Sequence, residues 1–112
     1  MKLKYTKYRI NLTHSFNISR SKNKWYDIIY VYIIDGEFIG RGEAAPNLRY
    51  NESADQILKL LEKIHLPKEI KDRESIFEYI LPQLQNIKSL EAAFSMALWD
   101  WWSQRKGKTV YN

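Results

Sequence analysis

Cysteine is absent from all 112 residues, which excludes both disulfides and thiolate metal sites. Histidine is nearly absent: His14 and His65 stand far apart without a carboxylate at ligand spacing, which argues against a transition-metal site. No apolar run approaches the roughly 20 residues a membrane helix needs. The opening stretch Met1-Lys2-Leu3-Lys4-Tyr5-Thr6-Lys7 has charge but no apolar core, so it does not read as a secretory signal. The sequence therefore predicts a cytoplasmic protein, and the Asn-x-Ser/Thr triplets at Asn11, Asn17 and Asn51 read as chance rather than glycosylation sites. Neither internal repeats nor a low-complexity linker interrupt the chain, and it reads as one domain over 1–112.

What is present is a globular composition, 45% hydrophobic with a net charge of +5. A basic balance invites a nucleic-acid reading. The lysines are scattered, however, and Ile, Lys, Asn and Tyr are abundant together, so compositional bias and solubility account for the charge better than a binding patch.

The first half carries β signals. Residues 3–13 alternate loosely with Tyr, Ile and Thr, predicting a first strand. From Trp25 to Ile34 the pattern is stronger, with Ile29, Val31 and Ile33 on one face. Tyr26, Ile28, Tyr30, Tyr32 and Ile34 fall on the other, and a strand apolar on both faces is usually covered on both; the Tyr30/Tyr32 face reads either as a subunit interface or as a half-exposed tyrosine face. Asp35-Gly36 signals a type I′ hairpin, and Glu37 to Glu43 returns as a third strand. Ser15 to Lys24, between the first two strands, is too long for a tight turn and is where function is expected.

Helices follow. Ala54, Ile57, Leu58, Leu61 and Ile64 repeat at helical spacing, with Asn51 or Ser53 as cap. Leu66-Pro67 ends that helix. Asp72 can cap a second, whose apolar face is Ile76, Phe77, Ile80 and Leu84; Pro82 makes it either kinked or short. Ser89 is the expected cap of the third, with Leu90, Phe94, Ala97, Leu98 and Trp101 inward and Gly107 as its stop. The small residues Ala92, Ala93, Ser95 and Ala97 would admit a close neighbour. Trp99, Trp101 and Trp102 cannot all face one core, so at least one faces elsewhere. The whole is an α+β fold: a three-stranded antiparallel meander followed by three helices.

Two segments have the look of binding elements. Phe16-Asn17-Ile18-Ser19-Arg20 opens the long loop, where an exposed arginine is the plain account. Gly40-Arg41-Gly42-Glu43-Ala44-Ala45-Pro46 lacks the strand–GxGxxG–helix context of a phosphate cradle; glycines ending a strand and a stiffening proline explain it as a turn. Glu43 is an acid or base in principle, and a structural carboxylate paired with backbone or a cation in the simpler reading.

Together with Ser89-Leu90-Glu91-Ala92-Ala93-Phe94-Ser95-Met96-Ala97-Leu98-Trp99-Asp100 and Gly107-Lys108-Thr109-Val110-Tyr111, these segments resemble the N-terminal capping domain of the enolase superfamily. The likeness is to its muconate-lactonizing branch, and within that to the L-Ala-D/L-Glu dipeptide epimerases. It runs the length of the chain. Thr109 departs from it, where relatives often carry proline. The resemblance implies that Phe16 and Ile18 wall a substrate pocket and that Arg20 meets an acidic substrate side chain, a task for a planar bidentate donor. It implies a second loop over Asn47 to Asn51, with Tyr50 also at the substrate.

In that family the catalytic (β/α) barrel follows, carrying carboxylates that bind Mg²⁺ and lysines that move the proton alpha to a carboxylate. This chain stops at the handover to the barrel. The resemblance thus implies a capping domain with no catalytic or metal-binding residue of its own, whose partners are the barrel and a small carboxylate or dipeptide. o-Succinylbenzoate synthase and muconate cycloisomerase are sibling readings. Two other classes stay open: a small basic module stacking single-stranded nucleic acid on its strand tyrosines, and an interaction protein that forms homo-oligomers through exposed aromatic surfaces.

Overall fold

A computed structural model of the chain describes residues 1–11, 25–46, 52–69 and 72–111. Three strands, β1 (Lys2–Asn11), β2 (Trp25–Asp35) and β3 (Phe38–Ala44), form an antiparallel sheet in the order β1-β2-β3. Helices α1 (Ala54–Leu61), α2 (Arg73–Ile80) and α3 (Lys88–Tyr111) follow, with a 3₁₀ turn at Leu81–Leu84. The expected α+β meander-then-helices architecture is what forms.

The register explains which face is buried. Leu3 pairs with Ile33 and Tyr5 with Val31; Val31 pairs in turn with Gly42, and Ile29 with Ala44. Side chains of one parity therefore share one face. Ile29, Val31 and Ile33 are fully buried there beneath Leu90, Phe94, Ala97, Leu98 and Trp101 of α3. The strand glycines set the closeness of that packing. A β-carbon at Gly40 would lie 2.7 Å from both Cβ and N of Trp101, and one at Gly42 would overlap the Ala93 carbonyl. Ala93 and Ala97 are the small residues that face them.

The opposite face is not covered by any described element. Tyr8, Tyr26 and Ile39 are exposed, and Ile28, Tyr30, Tyr32 and Ile34 are half-buried. The expectation that β2 is covered on both faces does not hold among the described residues. Neighbouring side chains shelter one another instead: the Tyr8 ring meets Tyr30 edge-on at 5.4 Å, and the Arg41 guanidinium sits 5.4 Å above the Tyr30 ring.

Other sequence expectations are corrected in detail. Asp35 pairs with Phe38, so the hairpin turn is Gly36-Glu37. Of these two turn residues only Gly36 has a positive φ (58°), whereas type I′ needs one at both. α1 is capped by Ser53, whose Oγ accepts the Gln56 N–H at 3.2 Å, and it ends at Leu61, before Leu66-Pro67. Asp72 caps α2, accepting the Ser75 N–H at 2.9 Å. Pro82 ends α2 at Ile80 and enters the 3₁₀ turn, where an early proline leaves no helical N–H unmet.

Ser89 does not cap α3. The helix begins one residue earlier, and the Ser89 N–H reaches the carboxylate of Glu52 at 3.4 Å. Nor does Gly107 stop it, since α3 continues to Tyr111 and Gly107 does not take the left-handed φ of a helix terminator.

Gly42→Ala is expected to cost about 2–3 kcal/mol, because the helix backbone, not a flexible side chain, occupies the space. Urea denaturation checks this. A midpoint equal to that of the unsubstituted chain would show that α3 does not lie so close.

Candidate functional site

At one end of the sheet the last β1–β2 pair joins Asn11 to Trp25, so the two flanks of segment 12–24 meet there. Pro46 and Glu52, the flanks of segment 47–51, line the same recess as Trp25. Trp25, Tyr26, Asp27, Ala45, Ser53 and Ala54 complete a cleft of about 230 Å³. Sites for drug-sized ligands run to roughly 300–1,000 Å³. The described walls alone thus hold a side chain, not a whole substrate.

Its charged groups are each engaged. Arg9 lies directly across the register from Asp27, and its Nε donates to Asp27 Oδ1 at 3.0 Å. The same guanidinium stacks 3.7 Å from the Trp25 ring, so one arginine fixes both a carboxylate and an indole on the cleft wall. Glu52 is 3% exposed and caps the amino end of α3 through the Ser89 N–H. A carboxylate suits that position, where unpaired amides and the helix dipole favour negative charge. With Asp27 held by arginine and Glu52 by the helix, neither stands ready as a base. No group of three potential metal ligands occurs among the described residues. The described walls of the cleft offer aromatic and apolar surface, and they do not by themselves make up a magnesium site.

The residues nominated from sequence, Phe16, Ile18, Arg20 and Tyr50, lie outside the described residues, as does His14. Glu43 is described. It projects from the outer face of β3 opposite Tyr30, away from the cleft, and has no hydrogen-bond or ion-pair partner among the described residues. Sequence reasoning missed Arg9, Asp27 and Glu52. For Asp27 a signal existed, since a carboxylate in register with Ile29 and Val31 marks where the core face ends. Glu52 gave none, because its acceptor role depends on a helix that begins 36 residues later.

A second surface lies across α2 and α3. Trp101 is buried as expected, while Trp99 is 52% exposed and Trp102 half-buried. The Arg73 guanidinium stacks 3.8 Å from Trp99, and Lys106 sits 5.3 Å from the Trp102 ring. Asp72, Glu74 and Ser103 line the rest of this broad groove. No helix among the described residues is long and apolar enough to cross a membrane.

Comparison with known proteins places this architecture. No protein-family model matches the sequence. The fold is that of the N-terminal domain of enolase-superfamily enzymes: the substrate-liganded L-Ala-D/L-Glu epimerase of Bacillus subtilis superposes with a TM-score of 0.76. That match has 27% identity and covers 95% of this chain and 31% of the epimerase. An enolase family member from Agrobacterium tumefaciens with homology to dipeptide epimerases, solved with sodium and L-Ala-L-Glu, gives a TM-score of 0.60 at 25% identity, over 95% of this chain and 31% of that one.

In sequence the chain is similar to dipeptide epimerases in particular. It is 32% identical over 114 residues to the L-Ala-D/L-amino acid epimerase of Flavobacterium johnsoniae, covering 99% of this chain and 34% of that protein. The Pedosphaera parvula enzyme of the same name is 30% identical over 118 residues, covering 100% and 34%. The chain thus spans about a third of the length of the curated relatives it matches.

If Glu52 holds the start of α3, Glu52→Ala should lower stability by about 1–2 kcal/mol, the usual cost of a lost cap. Glu52→Gln, which keeps an acceptor, should lose less. Denaturant midpoints for the pair decide it, and equal stability of all three chains would remove Glu52 from this role.

Proposed function

We propose that the chain is the substrate-capping domain of a magnesium-dependent dipeptide epimerase, binding substrate through its loops while a (β/α) barrel performs the chemistry. The observation that carries the reading is the alignment of nearly the whole chain with one third of an epimerase at 32% identity. The cleft supports it physically: the segments bearing Phe16, Ile18, Arg20 and Tyr50 both spring from its rim, which a rigid sheet and α3 hold in place.

Phe16 and Ile18 would supply apolar walls beside Trp25 and Tyr26. Arg20 would pair with an acidic side chain of a dipeptide, and Tyr50 would close the recess from the second segment. A magnesium ion in the barrel would stabilise the negative charge left on the substrate when its alpha proton is removed. The described residues offer no site for that ion, so acid/base and metal chemistry are assigned to the barrel and recognition alone to this chain. Trp99, still 52% exposed beside Arg73, and the half-buried Trp102 would meet that barrel. The chain by itself is expected to be inactive, and its compartment in this reading is the cytoplasm.

The test is a chimera in which residues 1–112 replace the matching third of the Flavobacterium johnsoniae enzyme. It should exchange the alpha hydrogen of an L-Ala-L-Glu dipeptide for deuterium in D₂O, followed by NMR. In that chimera Arg20→Ala should reduce kcat/KM for the acidic dipeptide by about 10–100-fold, the loss of one charge-assisted pair. A folded chimera without exchange would count against the reading. An unchanged kcat/KM would remove Arg20 from it.

A further inference from the structure

Two wall residues of the cleft, Trp25 and Asp27, share the face of β2 that carries Ile29, Val31 and Ile33. The core face therefore runs on into the cleft, and the first residue past its apolar run is a carboxylate. The Asp27 side chain is only 12% exposed, so water screens its charge poorly. Left unpaired, it would put a negative charge on a recess otherwise walled largely by Trp25, Tyr26, Ala45 and Pro46. Arg9 stands directly opposite on β1, donates from Nε to Asp27 Oδ1 at 3.0 Å, and stacks 3.7 Å from the Trp25 ring. Its own side chain is 49% exposed. The pair is thus oriented, with its anion at the recess and its cation toward water.

We propose that Arg9 is a positioning residue that sets the selectivity of the cleft: it masks the Asp27 charge so that an anionic substrate side chain can approach, and it holds the Trp25 indole as a fixed aromatic wall. The inference rests on the dipeptide-epimerase reading, in which an acidic side chain of the substrate comes to the segments that spring from this rim.

Arginine suits both duties at once. Its planar guanidinium binds a carboxylate through an edge N–H and leaves its flat face for the indole, whereas a lysine is a point charge with no plane to lay on a ring. The other carboxylate on the wall, Glu52, is compensated by a different means, since it accepts the Ser89 N–H at the positive end of α3. Each wall carboxylate thus comes with its own compensation, as a recess that admits an anion requires. The plain account of Arg9 and Asp27 is a cross-strand ion pair that supports register. That account gives Arg9 no effect on which substrate is preferred, and this difference is measurable.

The chimera is assayed with L-Ala-L-Glu and with L-Ala-L-Gln, whose side chain has nearly the same shape and no charge. Arg9→Ala should lower the ratio of kcat/KM for the first over the second by about 3–10-fold, the effect of one unit charge acting across a side chain's width in a partly screened site. Arg9→Ala/Asp27→Asn, which removes both charges, should bring the ratio back to within about twofold. A pair that only supports the fold would depress both dipeptides alike. In the 112-residue chain alone, Arg9→Ala should loosen the Trp25 indole, read from its N–H relaxation by NMR with the signal assigned through Trp25→Phe. A folded chimera that exchanges neither dipeptide strikes the epimerase reading, and the indole measurement then decides on Arg9 by itself. A ratio unmoved by Arg9→Ala, a double variant that does not recover, or a Trp25 indole as rigid without Arg9 as with it would each overturn the proposal.

Discussion

Everything else in this molecule depends on how closely α3 lies on β3. Two glycines on the strand and two alanines on the helix bring the backbones to a distance at which no β-carbon fits. At that distance short side chains can span from helix to strand. Asp100 and Gln104 reach the backbone of β3, and the Trp101 indole N–H donates to Asp35 Oδ2 at 3.0 Å. Arg105 Nη1 donates to the same oxygen, also at 3.0 Å. The hairpin turn, the free edge of β3 and the core are thereby fastened by one helix face. A larger residue on either side would push the helix out and separate these bonds together.

That rigidity is what gives the cleft its definition. Its walls come from strand ends and from the approach to α1, and Glu52 ties that approach to the start of α3. Its carboxylates are committed to an arginine and a helix terminus. The result is a shaped, chemically quiet rim carrying the ends of two segments. Such a rim is in keeping with the proposed division, in which this domain recognises while another reacts.

Much of the fold was legible in the sequence because its signals were local. Alternation in β2, the Asp-Gly hairpin, Ser53 and Asp72 as caps, and the inward face of α3 each declared themselves within a few residues. The misreadings share a cause. Ser89 looked like a cap, yet the acceptor at that helix end is Glu52, distant in sequence. Gly107 looked like a stop, but a glycine ends a helix only when the chain turns left-handed there. The outer sheet face admitted a covered reading and a half-exposed tyrosine reading, and among the described residues its tyrosines are half-buried, with Tyr8 edge-on to Tyr30. Of the site, the sequence pointed to the first segment by its length between two strands and to the second through family likeness. The pairing of Arg9 with Asp27 became visible only once strand register placed them opposite.

The bonds between β3 and α3 join residues 59 to 65 positions apart, whereas the hairpin closes over two. On an emerging polypeptide the sheet is therefore complete well before the helix that seals it. Throughout that interval β3 offers bare amides and two glycines without the helix that later covers them. Sealing waits for Gln104, almost at the end of the described chain. The exposure of β3 to wrong partners is thus greatest during synthesis, before α3 has formed.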